Sequence, residues 1–242
     1  VVNDGTSNSN TATKDVSVTA TNDNPLLANP IPDQNATEDL AFSFQFAANT
    51  FSDADVGASL AYTAQLNGGG SLPSWLSFNA SNRTFSGTPG NADVGTITID
   101  VTANDGHGGT VTDTFNIVVA NTNDAPVVTT NAGVTPFTEG NNTTSTPVVV
   151  DSAITVTDID NNTFASATVA ITGSFQSGED VLGFVNTNST LFGNIVASYN
   201  SSTGVLNLAS AGATATVAQW QAALQSVTYT NSSETPNTST RT

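Results

Sequence analysis

The segment Thr96-Ile97-Thr98-Ile99-Asp100-Val101-Thr102-Ala103-Asn104-Asp105-Gly106-His107-Gly108-Gly109-Thr110-Val111-Thr112-Asp113-Thr114-Phe115-Asn116-Ile117-Val118-Val119 alternates on both sides of a turn. Ile97, Ile99 and Val101 fall at every second position, and so do Val111, Phe115, Ile117 and Val119. That period belongs to strands with one buried face; only Asp113 breaks the apolar register. The Asn-Asp-Gly-His-Gly-Gly stretch between them is rich in turn formers and reads as a hairpin connection. Asn123-Asp124-Ala125-Pro126 closes the second strand, because Pro cannot donate to a ladder.

Working outward, the same pattern recurs. Asn3-Asp4-Gly5 and Asn22-Asp23-Asn24-Pro25 repeat the hairpin and its closing motif 101 positions earlier (Asn3 to Asn104, Pro25 to Pro126). Val16 and Val18 match Ile117 and Val119 in the same register. The chain is therefore repetitive. Boundaries fall at Pro25 and Pro126. Residues 1–25 read as the closing strands of a preceding repeat, 26–126 as one complete domain, and 127–242 as a second, sandwich-like repeat lacking its last strands. The chain reads as an excerpt of something larger, cut out of phase with its domains. Residues 1–20 are shaped to complete the second domain of a neighbouring copy, head to tail.

Composition sets the class. Three Lys and Arg face 20 Asp and Glu, for a net charge of −17, and Cys is absent. A phosphate footprint needs clustered cations, so nucleic acid is excluded as a partner. No apolar run is long enough for membrane insertion. Without Cys there is neither a disulfide nor a thiolate metal site. Abundant Thr, Ser, Asn and Gly favour short strands and tight turns over helix.

Within the first domain, Leu40, Phe42, Phe44 and Phe46 alternate, as do Leu60, Tyr62 and Ala64. Leu72-Pro73-Ser74-Trp75-Leu76-Ser77-Phe78 follows, then Thr84-Phe85-Ser86-Gly87-Thr88-Pro89. These motifs, with Asp105-Gly106 and Asp124-Ala125-Pro126, resemble the dystroglycan-type cadherin-like domain of large bacterial adhesins. The resemblance covers most of residues 28–126 and implies a β-sandwich, with Trp75, Phe78 and Phe85 in its core. In the second domain Ile154–Thr157, Ala167–Ile171 and Gly204–Leu208 read as strands. Val217, Trp220, Leu224 and Val227 stand at helical spacing behind Thr216, a suitable N-cap. Phe175–Asp180 and Thr228–Asn231 resemble a recurrent repeat of giant calcium-dependent bacterial surface proteins. The expected fold class is all-β: tandem cadherin-like (Ig-like) β-sandwiches, with one short helix in the second.

The carboxylates cluster. One set comprises Asn22, Asp23, Asn24, Glu38, Asp53, Asp55 and Asp105, expected at a first joint between domains. A second comprises Asn123, Asp124, Glu139, Asp158 and Asp160, with Asp4 of a neighbouring copy completing it. Asp-x-Asp in a loop can turn both carboxylates toward one ion, and Ca2+ takes six to eight oxygen ligands. The sets resemble classical cadherin calcium linkers, although Thr21 stands where that family has its first Asp, and Asn123-Asp124-Ala125 also loses the final Asn. One or two ions per joint are expected, with Ca2+ favoured over Mg2+.

No catalytic residue emerges: His107 is a lone histidine in a Gly-rich turn, and no phosphate loop or nucleophile motif is present. The expectation is a secreted or cell-surface spacer whose partners are other copies or adjacent repeats, head to tail. The alternative is a calcium-dependent adhesin domain holding a glycan or peptide.

Overall fold

A computed structural model describes residues Val1–Thr242. It divides into two units, Val1–Thr122 and Asn123–Thr242, the division falling four residues before Pro126. In both, nearly all the regular secondary structure is strand.

Unit 1 contains β1 (Leu26–Leu27), β2 (Gln34–Thr37), β3 (Phe42–Gln45), β4 (Phe51–Ser52), β5 (Ala61–Leu66), β6 (Leu76–Asn79), β7 (Thr84–Gly87), β8 (Gly95–Asn104) and β9 (Thr110–Ala120). One sheet runs β2-β9-β8-β5, with β2 parallel to β9 and the other pairs antiparallel. The facing sheet runs β3-β7-β6, and β1 pairs with β4. The alternation read in the sequence settles which side faces inward. Ile99, Val101, Phe115, Ile117 and Val119 are buried on the inner face of the larger sheet. Phe85 of the facing sheet meets Phe115 with ring centroids 5.6 Å apart, and Phe46, Phe78 and Tyr62 fill in around them. Apolar burial of this kind is worth about 25 cal/mol per Å2. It holds the sandwich shut.

Three details follow from local chemistry. Asp113, the break in the register, is buried because its carboxylate accepts from the backbone N–H of Ile31 at 2.6 Å and of Thr114 at 3.0 Å. Gly87 lies under Trp75, where any Cβ would collide with the Trp75 carbonyl. Leu40, expected on the same strand as Phe42, lies before β3 and is exposed.

Residues 1–21 carry no strand; a single bridge joins Asn3 and Asn8. Val16 and Val18 are exposed.

Unit 2 contains β10 (Val127–Thr129), β11 (Val148–Val149), β12 (Thr155–Thr157), β13 (Ser166–Ala170), β14 (Asp180–Gly183), α1 (Ser189–Phe192), β15 (Ile195–Asn200), β16 (Val205–Ser210), α2 (Val217–Leu224) and β17 (Thr228–Asn231). Its sheets are β13-β16-β15 and β11-β17-β14, with β10 paired to β12. The expected helix is α2. Thr216 accepts from the Gln219 backbone N–H, and Gln219 returns the bond, a capping box. Trp220 is buried and donates its ring N–H to the Phe164 carbonyl at 2.9 Å. The count of one helix needs correction. Asn188 caps a second, single-turn helix, α1, by accepting from the N–H groups of Thr190 and Leu191. Four residues are too few to show a helical period. No helix of the chain is long and apolar enough to cross a membrane.

Candidate metal centre

In unit 1 three loops bring part of the first predicted set together. The turn after β4 carries Asp53 and Asp55, the β8–β9 hairpin carries Asp105, and the approach to β1 carries Asn22, Asp23 and Asn24. Asp53 Oδ1 accepts from the Asp55 N–H at 2.9 Å, an Asx turn closed on itself. Asp55 Oδ2 accepts from the Asp23 N–H at 2.9 Å. Asp105 Oδ1 accepts from the N–H groups of His107 at 2.7 Å and Gly109 at 2.9 Å, while Oδ2 accepts from the Asn22 amide at 3.0 Å. The Asn22 amide, with the His107 N–H behind it, holds the Asp105 carboxyl below the usual carboxylate range. Gly109 must be glycine here, since a Cβ would strike both Asp105 Oδ2 and the Asn24 side-chain oxygen. That double approach places Asn24 beside Asp105. The result is a cleft of about 260 Å3 lined by Asn22, Asp53, Asp55 and Asp105.

Unit 2 repeats the wiring. Asp158 Oδ1 accepts from the Asp160 N–H at 2.9 Å and the Asn161 N–H at 2.7 Å. Asp160 Oδ2 accepts from the Asp124 N–H at 2.5 Å. Asn161 donates its amide to the Asn123 side-chain oxygen at 2.7 Å. In both units the first Asp of Asp-x-Asp spends one oxygen on its own turn, and the second Asp holds the Asn-Asp motif by its backbone. In both, the other oxygen of the first Asp is buried without a partner: Asp53 Oδ2 and Asp158 Oδ2.

Other predicted ligands lie elsewhere. Glu38 is fully buried, but its Oε2 accepts from the Thr122 N–H at 3.2 Å, just past the end of β9. The 11 residues of β9, at about 3.3 Å each, carry the chain roughly 35 Å between the Asp105 hairpin and that point. Glu38 therefore stands apart from the set to which the sequence assigned it, at the residue next to Asn123-Asp124. Its Oε1 is also buried without a partner. Glu139 has a fourth such orphan, Oε2. It lines a different cavity of unit 2, whose lining includes none of Asp124, Asp158 and Asp160. Asp4 closes a local turn, accepting from Thr6 and Ser7, and the Ser7 and Thr6 N–H groups lower its carboxyl to about 2.

Nowhere do three or more His, Asp or Glu side chains converge as a finished metal shell. The donor sets are mixed: carboxylates interleaved with Asn amide oxygens. Such hard oxygen donors suit Ca2+, which accepts carboxylate, amide and backbone oxygens in flexible numbers. A buried carboxylate oxygen with no partner costs about 1–3 kcal/mol or more. All four such oxygens in the chain belong to predicted ligands. The residues at Asp53 and Asp158 thus fit a hard divalent cation.

Sequence reasoning missed two features. Asn161 completes the Asp158 turn, and its signal was available in the run Asp158-Ile159-Asp160-Asn161. The other is a polar knot inside unit 2. Asp180, fully buried, accepts from Arg241 Nε at 2.9 Å, the Tyr229 hydroxyl at 2.6 Å, the Asn231 amide at 2.6 Å and the Gln176 N–H at 2.7 Å. Burial pushes the Asp180 carboxyl up, but these donors outweigh it and leave it below its ordinary value. Burial, then the Asp180 carboxylate, push the Tyr229 phenol up to about 12.

Comparison with known proteins bears on the first unit most directly. Residues 24–120 match the family model described as "Putative Ig domain". Halomucin from Haloquadratum walsbyi is 39% identical over 107 residues, a stretch that covers 44% of this chain and 1% of that protein. This chain therefore spans a very small part of that relative. Among solved structures, protocadherin gamma B2 extracellular cadherin domains 1–5 align over 82% of this chain and 33% of theirs, with 17% identity and a TM-score of 0.40. The protocadherin gammaB7 EC3-6 cis-dimer structure aligns over 78% and 39%, with 17% identity and a TM-score of 0.37. Over residues 24–120 the chain is similar to the family described as a putative Ig domain, and a stretch similar to part of this chain occurs in halomucin.

Proposed function

We propose that the chain is a structural repeat of a secreted or cell-surface protein, stiffened by Ca2+ and joined head to tail to other copies or adjacent repeats. One observation carries the reading: the wiring around Asp53-Asp55 and Asp158-Asp160 is the same, and each ends in a buried carboxylate oxygen without a partner. In unit 1 the holders would be Asp23, Asn24, Asp53, Asp55 and Asp105; in unit 2 they would be Asn123, Asp124, Asp158, Asp160 and Asn161. A bound Ca2+ supplies two positive charges where the chain has only acidic groups and amides. The chain's own part is to hold the loops ready. Each Asx turn aims one oxygen away from its own backbone, and each second Asp ties the incoming Asn-Asp strand to the turn.

A spacer role fits the packing. The exposed large apolar side chains are Val, Leu and Ile; none is an aromatic ring on which a sugar would stack. Thermal unfolding with Ca2+ and with chelator tests the reading. A rise in melting temperature that Asp53→Asn and Asp158→Asn together abolish is expected, whereas identical curves with and without Ca2+ would sink it.

A further inference from the structure

At the end of β5 the chain turns through Asn67-Gly68-Gly69-Gly70, an exposed loop of unit 1 that neither the core nor the metal sets use. The Leu66 carbonyl accepts from the Gly69 N–H at 3.0 Å, which closes a four-residue turn with Asn67 and Gly68 in its middle. Gly68 takes φ +88°, the conformation that such a turn asks of glycine. The Asn67 side chain reaches the paired strand β8, where its amide nitrogen donates to both oxygens of Asp100, at 3.0 and 3.2 Å. We propose that Asn67 is a site of spontaneous deamidation, restrained by Asp100, and that its conversion to a carboxylate loosens this end of the β5–β8 pairing. The chemistry depends on neither a bound ion nor the repeat reading.

The reaction uses only water. The Gly68 backbone nitrogen attacks the Asn67 side-chain carbonyl carbon, and the new N–C bond closes a five-membered imide. The amide nitrogen leaves as ammonia, taking the proton that Gly68 gives up. Water then opens the imide at either carbonyl. One opening leaves aspartate; the other leaves an isoaspartyl link, in which the backbone runs through the side chain.

Sequence and structure single out this residue together. Asn67 is the one asparagine of the chain that glycine follows, so no Cβ shields the attacking nitrogen. The Gly68 N–H makes no hydrogen bond, and a Cβ built on Gly68 would have no atom within 4 Å. Both residues are exposed, so water enters and ammonia departs freely.

Asp100 opposes the reaction. It holds the amide toward β8, and the side chain must leave both Asp100 oxygens before its carbon can meet the Gly68 nitrogen. Asp100 is itself fixed by the Thr114 hydroxyl, which donates to Oδ1 at 2.8 Å. Conversion reverses the contact. The Asn67 amide, the first cause that lowers the Asp100 carboxyl, is lost, and a second carboxylate takes its place. Like charges opposed on paired strands are destabilising. The isoaspartyl product also adds a carbon to the backbone beside the Asn67 N–H, which donates to the Thr98 carbonyl at 2.9 Å just past the last β5–β8 pair.

The test ages the full chain in mildly alkaline buffer, follows it by anion exchange, and locates the mass gain by fragmentation. A more acidic form carrying the gain at position 67 is expected. Asn67→Gln keeps the amide but can cyclise only through a slower six-membered ring, so it should not convert there. Asp100→Ala frees the amide and should convert severalfold faster than the unaltered chain. Asn67→Asp, the product made directly, should melt below the unaltered chain at neutral pH, with the gap closing as acid protonates the two facing carboxylates. The site is overturned if no acidic form appears, or if other asparagines convert while position 67 stays an amide. A rate for Asp100→Ala no higher than that of the unaltered chain overturns the restraint. Equal melting temperatures for Asn67→Asp and the unaltered chain at neutral pH overturn the loosening.

Discussion

Asp23 donates its backbone N–H to Asp55 Oδ2 at 2.9 Å across a sequence gap of 32 residues. The bond ties the segment entering unit 1 to the turn after β4, and Asp124 makes the same bond to Asp160 in unit 2. Both bonds to a carboxylate are of the stronger, charge-assisted kind. They fix the loops on which the candidate oxygen donors sit.

Replacing Asp105 by Asn should weaken unit 1 in a pH-dependent way. The Asn22 amide and the His107 N–H lower the Asp105 carboxyl in the folded state. A depressed folded value contributes stability that is present above the unfolded value, about 3.9, and is lost as pH falls through the folded one. Melting temperatures of the two proteins in chelator should therefore differ at pH 6 and converge as the pH falls through the lowered folded value. A gap that widens on acidification would contradict the assignment.

The polar knot of unit 2 makes two further predictions. Arg241→Ala leaves Asp180 buried and short of its cation, which costs on the order of 3 kcal/mol; chemical denaturation should show the loss in the transition of unit 2 and not in that of unit 1. Asp180→Asn removes two of the causes that push the Tyr229 phenol up to about 12. Ultraviolet titration of the variant should find that tyrosine ionising at lower pH, though still above about 10, since burial remains. An unchanged titration would place the carboxylate away from the phenol.

In unit 1, Phe85→Ala should cost about 3–5 kcal/mol, because the ring is fully buried between Phe78 and Phe115. Gly87→Ala should also be strongly destabilising despite its size, since the added methyl meets the Trp75 carbonyl. Thr216→Ala, which deletes only the cap of α2, should cost about 1 kcal/mol. Urea unfolding ranks the three; a cap loss equal to the Phe85 loss would contradict the packing described.

Much of this structure was legible in the sequence. The two-residue period fixed the inward faces of β8 and β9, and the spacing of Val217, Trp220 and Leu224 behind Thr216 announced α2. Asp53-Ala54-Asp55 and Asp158-Ile159-Asp160 stood out because close carboxylate pairs in loops are otherwise unfavourable. Glu38 was misplaced for a physical reason. It lies 15 residues before Asp53 in the chain, yet β2 runs parallel to β9, so its end lies by Thr122. Sequence proximity says nothing about which pole of a sandwich a residue reaches. The Asp180 knot stayed hidden because its members sit on β14, β17 and a late loop, and only register brings them together.

The most direct test of the central claim is Ca2+ titration by calorimetry on the full chain, repeated on Asp53→Asn and Asp158→Asn. If the two turns each hold an ion, the unaltered chain binds Ca2+ at more than one site, and each variant loses the heat of one site while keeping the other. Ca2+ heats that are absent, or that both substitutions leave unchanged, would contradict it.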